Sequence, residues 1–100
     1  MMTVITRVQL DADQADAWDE AMIRRMRTAE SVDGWVSGQI LTPEAEPTRR
    51  VIVGVWETRE HWKAWHEDPT FEETRADLDS MGVDDGDSVW HEPIYSAVRE

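Results

Sequence analysis

Val51-Ile52-Val53-Gly54-Val55-Trp56-Glu57-Thr58-Arg59-Glu60-His61-Trp62-Lys63-Ala64-Trp65-His66-Glu67-Asp68-Pro69-Thr70-Phe71 decides the fold of this 100-residue chain. It opens as a strand, starting at Arg49, whose two faces are Val51, Val53, Val55 and Ile52, Gly54, Trp56. Both faces are largely apolar, so both should be covered. Thr58 then reads as a helix N-cap, since its hydroxyl can accept from a backbone N–H of the first turn. The helix from Arg59 carries Trp62, Trp65 and His66 at i, i+3 and i+4, hence on one side. Pro69 interrupts it, and Phe71, Thr74, Leu78 and Met81 continue the stripe. Proline fits a first helical turn, so a kink or restart is expected at Asp68. Four large aromatics in so short a stretch point to a core edge, a pocket or a subunit contact.

Upstream, Thr3 to Leu10 alternates, with Val4, Thr6, Val8 and Leu10 on one face and Ile5, Arg7 and Gln9 on the other. That pattern predicts a strand. Asp11 or Asp13 is the expected cap of the next helix. Ala15, Trp18, Met22, Met26 and Ala29 form its apolar stripe to about Glu30. Arg24, Arg25 and Arg27 sit near its C-terminal end, where the helix dipole favours cations. Asp33-Gly34 predicts a turn, Trp35 to Leu41 a second strand, and Thr42 to Thr48, with two prolines, a hairpin loop. Past Met81-Gly82, Asp84 to Asp87 reads as an acidic loop. Val89 to Val98 reads as a last strand, placed at an edge or bulge by Pro93.

Composition narrows the function classes. Twenty-two acidic against ten basic residues give a net charge of −12. That disfavours nucleic acid, whose binding runs on cations displacing counterions, and anionic membrane surfaces too. With no cysteine there are no disulfides, thiolate nucleophiles or cysteine-ligated metals. The alternating N-terminus lacks the pattern of a signal peptide, and no apolar run is long enough to span a membrane, so a cytoplasmic location is expected. The five glycines form no phosphate-binding fingerprint, no serine elbow is visible, and His61, His66 and His91 lack metal-site spacing. Neither a metal nor a built-in flavin or nicotinamide is expected.

The element order βαββαβ over residues 1–100 predicts a single α+β domain. It is the ferredoxin-like sandwich, a four-stranded antiparallel sheet with two helices on one face. The opposite sheet face, with Ile5 and the second apolar face of the Arg49–Glu57 strand, would then be bare. An apolar sheet face of that size marks an interface, and a homodimer through sheet faces is the simplest cover.

The run Val51 to Glu57, followed by Trp62, Trp65-His66, Asp68-Pro69 and Phe71, resembles the antibiotic biosynthesis monooxygenase superfamily. The Gly34-Trp35-Val36-Ser37-Gly38 segment is similar as well, and the likeness covers nearly the whole chain. The resemblance implies a ferredoxin-like subunit, a dimeric α/β barrel, and a pocket between sheet and helices. It also implies a choice among cofactor-free monooxygenases of aromatic polyketides, haem-degrading enzymes and proteins of other roles. The haem-degrading branch is matched at Trp65. Where that branch places its iron-binding histidine this chain has Arg75, and where it has a first-strand asparagine this chain has Thr6. A permanently protonated arginine cannot replace a histidine ligand, so haem degradation by that route is not expected.

Cofactor-free oxygenation of an aromatic or quinol-type small molecule needs a base, a group that holds the resulting oxyanion, and a dry pocket. His66 is the base candidate because imidazole titrates near neutral pH. Arg75 is the candidate oxyanion holder. The Trp65 indole can donate to the substrate or stack on it. Thr6, Met22, Met26, Trp62 and Phe71 are the expected pocket walls. Each also has a plainer reading: tryptophans at helical spacing fill cores, His66 can close a helix end, and Arg75 can pair with Glu72 or Asp79. The rival function is a non-catalytic dimer that binds a small ligand or assists a partner enzyme. A cavity filled by Trp62, Trp65 and Met26 favours the rival. An open cavity with His66 or Arg75 facing inward favours the enzyme.

Overall fold

In the computed structural model, which describes residues 1–84 and 88–99, the elements are β1 (Met2–Leu10), α1 (Ala15–Ala29), β2 (Trp35–Leu41), β3 (Arg49–Trp56), α2 (Arg59–His66), α3 (Pro69–Met81), β4 (Gly82–Asp84) and β5 (Ser88–His91). The sheet order is β2-β3-β1, and both β4 and β5 lie along the far edge of β1, so the sheet is four lanes wide. All pairings are antiparallel. The expected ferredoxin-like α+β sandwich is the architecture found. Residues 85–87, most of the expected acidic loop, lie outside the described residues.

Periodicity placed the elements well, and their ends depart where local chemistry intervenes. Thr58 caps α2 as expected: its Oγ1 accepts from the His61 N–H at 3.2 Å. The anticipated break at Asp68 is complete. The Asp68 carboxylate accepts from the Thr70 N–H at 2.8 Å and starts a separate helix at Pro69, so the sandwich carries three helices rather than two. Neither Asp11 nor Asp13 caps α1 with its side chain. Gln14 occupies the N-cap, and its N–H donates to the Asp11 carbonyl at 3.0 Å. The last strand ends at His91 instead of reaching Val98. His91 pairs with Thr3, where β1 is about to run out, and Pro93 has no N–H to offer. Ile94, Tyr95 and Val98 therefore stand in solvent.

The apolar stripes meet on one side of the sheet in two clusters. One gathers Val4, Ala29, Trp56, Trp65 and Phe71; the other gathers Leu10, Trp18, Ala21, Met22 and Leu78. The opposite face carries Val89, Ile5 and Val53 in one lateral row across β5, β1 and β3, with Leu41 opposite Val51 in another. Leu41 and Val89 remain 43% and 44% exposed in the single chain.

One buried charge ties the layers together. Arg50, 7% exposed, donates from Nε to Asp19 Oδ1 at 2.7 Å and from Nη2 to Asp19 Oδ2 at 3.0 Å. Its Nη1 reaches Thr42 Oγ1 and the carbonyls of Pro47 and Arg49. The fork pins the start of β3 to α1 and to the hairpin loop. The Asp19 hydrogen bond holds the guanidinium pKa above its usual value. Arg50→Met should cost about 3 kcal/mol in urea unfolding, because Asp19 loses its partner. Adding Asp19→Leu should recover much of that loss. An unchanged midpoint for Arg50→Met would show that the fork carries no stability.

Candidate functional site

A cavity of about 210 Å³ opens between the helices and the sheet, bordered by members of both core clusters. Its floor exists because two glycines face each other. Gly38 of β2 pairs directly with Gly54 of β3. A Cβ on Gly38 would run into the Met26 methyl, and one on Gly54 would come within 3.3 Å of Val4 Cγ1 and 3.5 Å of the Trp56 indole nitrogen. Trp35 and Trp56 flank this bare patch, with Val4, Thr6, Val8 and Ile52 beside them. Thr6 Oγ1 lies 2.9 Å from Ser88 Oγ at the β1–β5 edge.

The roof comes from all three helices: Trp18, Met22, Arg25 and Met26 from α1, Trp62, Trp65 and His66 from α2, Phe71, Leu78 and Asp79 from α3. Its aromatics are interlocked. Trp65 meets Phe71 edge-on at 5.6 Å, and Trp62 meets Trp90 edge-on at 4.7 Å. The His66 ring is held between Trp62 at 3.7 Å and Phe71 at 4.2 Å. These contacts fix ring planes as well as positions.

His66 Nδ1 lies 2.9 Å from the Trp62 carbonyl oxygen. A carbonyl only accepts, so Nδ1 carries the proton and Nε2 keeps its lone pair. Burial pushes the imidazole pKa down to about 4. The Trp62 hydrogen bond and Glu72 oppose that shift, and Arg25 and Arg75 add to it. At neutral pH the ring is therefore an uncharged acceptor.

Seven of the residues expected at a site, Thr6, Met22, Met26, Trp62, Trp65, His66 and Phe71, do line the cavity. Arg75 does not. It is half exposed, its Nη1 donates to Glu72 Oε1 at 3.1 Å, and its guanidinium stands 5.8 Å from the Phe71 ring centroid. The arginine in the lining is Arg25, whose guanidinium sits 3.9 Å from the Phe71 ring centroid and donates from Nε to Thr74 Oγ1 at 2.7 Å. Its signal was present in the sequence. Trp18, Met22, Arg25 and Ala29 follow steps of four, three and four, so a cation occupies a place on an otherwise apolar stripe. Asp79, Trp35 and the Gly38–Gly54 pair were missed as well. The glycines show only when the β2–β3 register sets them opposite each other.

A family model described as antibiotic biosynthesis monooxygenase matches residues 1–77. No curated protein sequence matches the chain. Among solved structures, a Nitrosomonas europaea protein carrying the same family name superposes with a TM-score of 0.88 at 20% identity, covering 94% of this chain and 90% of that one. SnoaB of Streptomyces nogalater, described as a cofactor-independent oxygenase, gives 0.85 at 13% identity over 95% and 94% of the two chains. Rv0793 of Mycobacterium tuberculosis gives 0.85 at 15% identity over 97% and 98%. At these identities the likeness establishes the shared fold.

The His66 environment predicts a pH signature in stability. The unfolded imidazole takes up its proton near pH 6.5, the folded one only near 4. Between those values the unfolded chain binds more protons, so this contribution is present in full above about pH 6.5 and is lost as pH falls toward 4. His66→Gln lacks it. The stability difference between wild type and His66→Gln, from urea midpoints at several pH values, should shrink through that window while the carboxylates common to both cancel. A constant difference would mean that the ring is not desolvated.

Proposed function

Because the chain belongs to the antibiotic biosynthesis monooxygenase family, we propose that it is a cofactor-independent monooxygenase oxidising an aromatic or quinol-type small molecule in this cavity. The observation that carries the reading is the open, aromatic-walled space with a neutral His66 lining it. The distant likeness to SnoaB supports the same chemistry. A planar substrate stacks against Trp62, Trp65 and Phe71. Its acidic hydrogen faces Nε2 of His66, the only ring nitrogen with a lone pair. With so low a pKa, His66 takes that proton only in passing and hands it to solvent, while the electron-rich substrate anion reacts with dioxygen. One oxygen atom stays on carbon as a carbonyl. The other leaves as water, which takes up the equivalent of the two hydrogens that the substrate gave up, both from carbon in an anthrone and one each from carbon and oxygen in a phenol.

The working unit in this proposal is a cytoplasmic homodimer with the two sheet faces packed on each other. The apolar rows of Ile5, Val53 and Val89 and of Leu41 and Val51, with Val89 and Leu41 exposed and the others partly buried in the single chain, support it. Wild type should sediment at twice the 11.6 kDa chain mass at micromolar concentration, and Val53→Asp should sediment as the single chain. A well-folded wild-type monomer would overturn the assembly.

Oxygen uptake with a panel of anthrone- and hydroquinone-type substrates tests the activity. Wild type should consume oxygen faster than substrate alone, and His66→Ala should be slower by about 100-fold, the usual weight of a proton-transfer group. No uptake with any member of the panel would leave a ligand-binding or accessory role as the better reading.

A further inference from the structure

Arg25 is the charged group of the cavity that the fold does not account for. Its guanidinium has five donors, and only Nε has an acceptor among the described residues, Thr74 Oγ1. Nη2 is shut off from water with no acceptor among the described residues. An unpartnered buried donor costs stability that an apolar side chain of equal length would avoid. Four titratable groups act on or beside it. Asp79 and Glu72 of α3 favour its charge and Arg75 of α3 opposes it. The neutral His66 of α2 packs against the same Phe71 ring. Neither of these two carboxylates comes within ion-pair distance of it; Glu72 pairs with Arg75 instead. Burial lowers its pKa to about 10, so it remains a cation at any working pH.

We propose that Arg25 is the recognition point for an anionic oxygen carried on a planar aromatic ring, a bound phenolate. The ring lies along the aromatic wall, and the oxygen sits at Nη1, which has no acceptor among the described residues and, unlike Nη2, is not closed off from solvent. With a net charge of −12 the surface repels anions from solution. The ligand therefore enters as the neutral phenol and ionises inside. Its O–H bond breaks, the proton passes by way of His66 Nε2 to water, and the electron pair stays on the oxygen beside Arg25. The choice of a phenol rests on the monooxygenase reading; the unsatisfied cation does not.

The probe is 4-nitrophenol, titrated under nitrogen by its phenolate absorption in the presence of excess full-length protein. Bound to wild type, it should ionise about one pH unit lower than free in solution. In Arg25→Met the shift should vanish or reverse, because an apolar cavity disfavours the anion. Arg25→Lys should keep part of it, and Arg24→Gln, on the solvent side of α1, should keep all of it. Arg25→Met also removes the unpartnered donor, so it should melt close to wild type. Should it fail to fold, Arg25→Gln takes its place. No binding of the probe, binding only as the phenol, or an equal shift in the folded Arg25 variants would overturn the proposal and reduce Arg25 to a brace between Phe71 and Thr74. Because oxygen is absent, the shift persisting without oxygen uptake would count against the oxygenase alone. Uptake without the shift would count against the Arg25 subsite alone.

Discussion

The cavity depends on a place where the sheet has no side chains. Gly38 and Gly54 sit opposite each other on the helix-facing side; a side chain at Gly38 would have to displace the Met26 methyl, and one at Gly54 would press on Val4. A helix layer laid over a filled sheet would close into one core. Over this notch it closes into two, one around Trp65 and Phe71 and one around Trp18 and Leu78, and the space between them stays open. Such a void forfeits packing on both sides. The chain keeps it open with stiff, interlocked aromatic walls.

Those walls are positioned by two short-range events. Asp68 caps α3 just after α2 has ended at His66, so one helical stripe becomes two helices that can turn relative to each other. That turn brings Phe71 edge-on to Trp65 and leaves His66 held between Phe71 and Trp62. An unbroken helix would keep Trp65 and Phe71 nearly two turns apart along one axis, with no slot for the imidazole. The same packing that orders His66 desolvates it, so the ring is better suited to accept a hydrogen bond than to hold a proton.

Most of the fold was legible because it is written in local periods. The alternation in β1 and β3, the cap at Thr58, the break before Pro69 and the shared face of Trp62, Trp65 and His66 each depend on a few neighbouring residues. What failed to read depends on distant ones. Arg25 and Arg75 both approach Phe71, one at 3.9 Å and the other at 5.8 Å. Which of the two looks into the cavity is settled by the packing of α1 on α3, which neither helix encodes alone. The last strand stops at His91 for a similar reason. Residues beyond it have ample β propensity, but β1 offers them no partner past Met2.

The chain turns two of its arginines inward, and they answer different questions. Arg50 makes five hydrogen bonds, two of them to a carboxylate, and its environment raises its pKa. That is how a buried cation behaves when it serves the fold: each part of the fork has an acceptor, and its removal orphans a partner. Among the described residues Arg25 makes one hydrogen bond and keeps a donor shut from water without an acceptor, and burial lowers its pKa. If Arg25 were only a strut, an apolar residue such as its stripe neighbours Met22 and Ala29 would fill the position at lower cost. The fold supplies acceptors for Arg50 and leaves Arg25 with one among the described residues, and the second cation borders an open space in which a ligand could provide another.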